Sequence, residues 1–89
     1  MSDTRREPRV RCTIYKGRRK PDVYLYLRQG QDLEGLPEAL LQALGPLEEV
    51  MRLELHPGRR LAQADVAQVM RQLEAQGFYL QLPPEKAFL

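Results

Sequence analysis

Few side chains in this sequence could carry out covalent or acid–base chemistry. The one histidine, His56, stands beside Pro57 in the turn-like stretch HPGRR. A proton relay or a metal site would need further histidines or carboxylates held near it, and no such cluster is visible. The one cysteine, Cys12, alternates with Val10 and Ile14 in VRCTIY, which predicts a buried and unreactive thiol. A lone cysteine also excludes an intramolecular disulfide and a cysteine-based zinc site. No pattern fixes two carboxylates to one pocket. The expectation is therefore no catalytic residue, no metal ligand set and no cofactor.

What the residue types do offer is binding chemistry. Within the stretches that alternate, Tyr15, Tyr24, Tyr26 and Tyr79 all fall out of phase with the most apolar positions, in company with Arg11 and Arg52. An aromatic, partly basic sheet surface could meet a protein partner, or could stack unpaired bases while arginines contact phosphate. The simpler reading is that tyrosine suits a strand, packing its ring across neighbours while the hydroxyl stays wet. The tail after Pro84, with Phe88 and Leu89, could also fold over such a face.

Charge adds a second feature. Residues 1–20 hold Arg5, Arg6, Arg9, Arg11, Lys16, Arg18, Arg19 and Lys20 against Asp3 and Glu7, a balance of +6 in a chain whose total is +2. The rest is net acidic, and no RNP octapeptide or GXXG loop is present, which favours a protein partner over nucleic acid. A third candidate is Gly58, Arg59 and Arg60, where glycine would admit an anion near a helix start. A strand-to-helix turn uses such residues in any case.

The elements that must position these residues follow from period and punctuation. VRCTIY (10–15) and VYLYL (23–27) alternate, and KGRRKPD between them supplies a turn, so the pair reads as a hairpin. LPEALLQALG (36–45) reads as a short amphipathic helix, with Pro37 near its start and Gly45 as its stop. VMRLEL (50–55) is a third strand. ADVAQVMRQLEAQG (64–77) is a second helix, with Asp65 in the first turn and Gly77 as a left-handed cap. FYLQL (78–82) is a fourth strand, after which Pro83 and Pro84 cannot extend a ladder.

The order is ββαβαβ. Val10, Cys12, Ile14, Val23, Leu25, Leu27, Met51, Leu53, Leu55, Phe78, Leu80 and Leu82 are expected to form one apolar face. This predicts an α+β domain, a four-stranded sheet with two amphipathic helices packed chiefly on one face. Residues 10–84 make a single domain, residues 1–9 a basic arm expected to be disordered, and residues 85–89 a tail. No apolar h-region follows the basic start and no run reaches the length of a membrane span, so a cytoplasmic location without membrane contact is expected.

The stretches CTIYK (12–16), PDVYLYL (21–27), PGRRL (57–61), ADV (64–66) and above all QGFYLQLPP (76–84) resemble the YcgL domain family of small bacterial proteins. The similarity runs from about Cys12 to Pro84. It implies an α/β domain on a four-stranded sheet and brings no activity, cofactor or catalytic residue with it. The arginine-rich arm before Cys12 departs from the family pattern, as does the short stretch after Pro84. Taken together, the sequence predicts a non-catalytic binding module for a protein partner, with single-stranded RNA or DNA as the alternative.

Overall fold

A computed structural model describes residues 9–61 and 65–82. The expected arm, apart from Arg9, and the expected tail lie outside the described residues, as do Pro83 and Pro84. Strands β1 (Val10–Gly17) and β2 (Lys20–Arg28) form the predicted hairpin, longer than the alternating stretches because the pairing continues to a tight turn at Arg18 and Arg19. A single 3-10 turn, Leu33–Gly35, leads into helix α1 (Glu38–Leu44). Strand β3 (Leu47–Leu55), helix α2 (Val66–Gln76) and strand β4 (Phe78–Gln81) complete the order.

The result is an α+β fold on one antiparallel sheet with strand order β3-β1-β2-β4. Helix α2 ends as predicted at Gly77, whose φ of 91° is left-handed and whose N–H donates to the Leu73 carbonyl. Gly77 is the one residue between α2 and β4, so the chain reverses at once onto the edge of β2.

The placement of the helices differs from the expectation. Leu73, Val69 and Met70 of α2 pack on Val10, Cys12, Ile14, Tyr26 and Leu55. Leu44 of α1, with Leu36, packs on Val23, Leu25 and Leu27, joined by half-buried Phe78 and Leu80. These two clusters lie on opposite faces, because Ile14 pairs with Tyr26 while Tyr15 pairs with Leu25. Cross-strand partners share a face, so a pairing one residue away from the assumed phase sends a whole strand to the other side.

The sheet is thus covered by α2 on a first face and by α1 on a second, and both phases of β2 are apolar because both are used. Two expected core residues are in fact exposed. Leu82 follows the last paired residue of β4, and Met51 sits at a β-bulge where Val50 is inserted between the partners of Ile14 and Tyr15.

Candidate functional site

Arg11, Thr13 and Tyr15 alternate along β1 onto the second face. Their partners on β3 are Glu54, Arg52 and Glu49, and Thr13 is flanked on β2 by Leu27. Helix α1 has only seven residues, roughly 10 Å of length, and it covers the end of this face near Gly17. Among the described residues, no element covers the other end. There, a depression of about 560 Å³ is lined by Arg11, Thr13, Tyr15, Leu27, Arg52 and Glu54, with the turn at Gln29 to Gln31 as its rim. The turn is fastened by the Gln29 N–H donating to the Arg11 carbonyl at 2.8 Å and the Gln31 N–H to that of Arg28 at 3.0 Å.

Charge alternates around this depression. Glu54 meets Arg9 at 3.5 Å and Arg11 at 3.8 Å, while Arg52 holds Glu49 through Nε at 3.0 Å. The guanidinium groups of Arg11 and Arg52 nevertheless remain largely exposed, at 70% and 76% of their side chains. Exposed pairs of this kind contribute little to stability, about 0–1 kcal/mol each, so these residues are free to serve contacts instead of the fold.

The structure divides the predicted binding face. Arg11, Tyr15 and Arg52 are together at the depression, but Tyr24, Tyr26 and Tyr79 are on the first face with α2. Tyr26 is 4% exposed, donates its hydroxyl to Gln81 Oε1 at 2.9 Å, and meets the Tyr79 ring edge-on with centroids 5.7 Å apart. Burial raises its phenol pKa, helped by Cys12 and Tyr79. Tyr24 and Tyr79 are half-buried against the same cluster. A continuous four-tyrosine surface is therefore not formed, since the assumed strand phase put core aromatics on the wrong side.

Cys12 is buried, as predicted, and desolvation pushes its thiol up to about 11 despite the opposing charge of Arg59. Gly58, Arg59 and Arg60 are exposed in a turn closed by the Arg59 N–H donating to the His56 carbonyl at 2.9 Å. Helix α2 begins at Val66, behind Asp65, two residues later than the sequence pattern places its start. Among the described residues, no group of three or more histidine, cysteine, aspartate or glutamate side chains could hold a metal ion, and no helix is long and apolar enough to cross a membrane.

Sequence reasoning missed Thr13, Leu27, Glu54 and the Gln29 to Gln31 rim. The signal available was the polar RQGQD stretch at the open end of the hairpin, which marks a turn next to Arg11 once the register is known.

The family model for the YcgL domain matches residues 12–84. The chain belongs to the YcgL domain family. A YcgL domain-containing protein of Shewanella denitrificans is 46% identical over 78 residues, covering 88% of this chain and 82% of that protein. One from Pseudomonas aeruginosa is 47% identical over 73 residues, covering 82% and 75%. One from Thioalkalivibrio sulfidiphilus is 46% identical over 72 residues, covering 81% and 89%. All three are named for the YcgL domain alone. The matched span includes both helices and all four strands except the first two residues of β1, so the depression of this YcgL domain lies inside the family region save for Arg11.

Proposed function

We propose that this YcgL domain is a non-catalytic cytoplasmic binding module that docks a protein partner on the open end of its second sheet face. The observation that carries the reading is the depression lined by Arg11, Thr13, Tyr15, Arg52 and Glu54, left uncovered by the short helix α1. Its alternating charges suit a protein surface of mixed sign with one apolar or aromatic side chain set against Tyr15 and Leu27. A polyanion suits it less well. Glu54 and Glu49 are interleaved with the arginines and would repel phosphates, and the stacking platform is reduced to Tyr15.

The test compares wild type with an Arg11→Ala/Arg52→Ala variant. A partner captured by the wild type is purified and titrated into isotope-labelled domain. The expected result is amide shifts centred on Thr13, Tyr15, Leu27 and Arg52, and loss of binding in the variant at unchanged thermal stability. Shifts centred on α2 instead, or equal binding by the variant, would remove this surface. Binding of single-stranded oligonucleotides that weakens steeply with salt would favour the nucleic-acid alternative.

A further inference from the structure

Strand β3 is one edge of the sheet, so one side of its backbone has no ladder partner among the described strands. Proteins normally blunt such edges with short strands, proline, lysine and other charged side chains, or a bulge, and of these β3 carries charges and one bulge. Strand β4, the other edge, is four residues long and is followed in sequence by Pro83 and Pro84. Strand β3 has nine residues and contains no proline, lysine or glycine. At its middle stand Val50 and Met51, adjacent apolar side chains that are 46% and 48% exposed.

We infer that the outer edge of β3 pairs antiparallel with β3 of a second copy of this chain, about a two-fold axis passing between Val50 and Met51. In this register Val50 faces Met51 of the second copy, and Glu49 faces Arg52, each pair occurring twice. The bulge decides the register. Side chains three apart on a regular strand point to opposite faces, yet Glu49 is opposite Tyr15 and Arg52 opposite Thr13, both on the second face. Their 3.0 Å contact shows the same thing directly. The inserted Val50 is what lets Glu49 and Arg52 of two-fold-related strands face each other on one side of a continuous sheet.

An axis through Val50 would set Glu48 against Arg52, but these two lie on opposite faces, and registers shifted by a whole residue are worse as well. Moving the axis one residue towards Leu55 sets Glu49 against Glu54 of the second copy, a like-charge pair. Moving it one residue the other way sets Glu48 against Met51 and Leu47 against Arg52, with no charge pair at all. A bulge also disrupts pairing with a regular foreign strand. A second copy carries the same extra residue at the same place, so the two irregularities meet at the axis and compensate.

Sedimentation equilibrium of the full chain, from micromolar to millimolar concentration, tests this. Wild type is expected to show a reversible monomer–dimer equilibrium. Glu49→Arg alone and Arg52→Glu alone each turn both attractive pairs into repulsive ones and should weaken the dimer roughly tenfold or more. Mixed one to one, the two variants should associate again, because Arg at 49 then meets Glu at 52 of the other chain. The pair within each chain is broken in both variants, so a merely internal role cannot give this rescue. Circular dichroism establishes that both remain folded. A wild type that stays monomeric throughout, variants that dimerise like wild type, or a mixture that fails to associate overturns the inference. Arg11→Ala alters the lining of the depression on the central strand β1, away from the β3 edge, and should leave the monomer–dimer equilibrium unchanged, which separates dimerisation from partner docking.

Discussion

Ile14 lies directly opposite Tyr26 in the ladder between β1 and β2, and both are buried on the face that α2 covers. Tyr26 is therefore a core residue with a polar handle. Its ring packs beneath Val69, Met70 and Leu73 and edge-on to Tyr79, while its hydroxyl reaches Gln81 at the sheet edge. Loss of the ring should cost far more than loss of the hydroxyl. Tyr26→Ala is expected to destabilise by about 3–5 kcal/mol and Tyr26→Phe by about 1 kcal/mol, read by urea denaturation with an unchanged slope for the phenylalanine variant. Equal effects would show that the hydrogen bond, and not the ring, anchors this position.

Cys12 gives the fold a predictable alkaline limit. Its thiol pKa is raised by burial from 9.0 to about 11 in the folded state. Between those values the unfolded chain releases the proton and the folded chain keeps it, so stability falls as pH rises. The loss should amount to about 2 kcal/mol by pH 11, with the raised Tyr26 phenol extending it beyond pH 10. Denaturation midpoints from pH 8 upward should decline for wild type and decline less for Cys12→Ala. Slow reaction of the native thiol with iodoacetamide, becoming fast in urea, is expected alongside.

Much of this architecture was legible in the sequence, and what was not has a definite physical cause. Alternation and punctuation placed every strand and helix, and Gly77 was identified as a left-handed cap because only its position matched the end of the Val66, Val69, Met70 and Leu73 stripe. A period of two says which residues of one strand share a face, but it does not say how two strands are aligned. β2 is apolar in both phases, with Val23, Leu25 and Leu27 on one side and Tyr24 and Tyr26 on the other. Either alignment would bury something: the turn at Arg18 and Arg19, continued from the Gly17–Lys20 pair, would set Ile14 opposite Val23, and the irregularity between Lys16 and Gly17 is what sets it opposite Tyr26 instead. The same uncertainty moved the helices to one face and gathered four tyrosines that the structure separates. Arg11, Tyr15 and Arg52 kept their company because pairing between β1 and β3 follows the phase assumed.

Gly17 marks where the hairpin tip meets α1. A Cβ built there would stand 2.5 Å from the Leu44 carbonyl oxygen and 2.8 Å from its Cβ, and the adjoining Arg18 and Arg19 N–H groups donate to the Pro46 and Leu44 carbonyls at 3.0 Å each. No flexible side-chain end is available to yield. Gly17→Ala should therefore force the tip away from the helix end and cost about 1–3 kcal/mol. Faster amide exchange confined to Arg18, Arg19 and α1 would place the damage, whereas an alanine variant as stable as wild type would show that the contact is loose.

Helices on opposite faces also make a thermodynamic prediction that helices sharing one face would not. Val69 of α2 and Leu40 of α1 belong to separate clusters with the sheet between them. Val69 is wholly buried, so Val69→Ala should cost about 2 kcal/mol, while half-buried Leu40 should lose about 1–2 kcal/mol on truncation. With no shared neighbour, the double variant should lose the sum, to within about 0.5 kcal/mol. Two helices packed side by side on one face would instead share a cavity wall, and their truncations would couple more strongly than that. A double-mutant cycle by chemical denaturation separates the two cases, with Val69→Ala and Ile14→Val, which lie in one cluster, as the positive control for coupling.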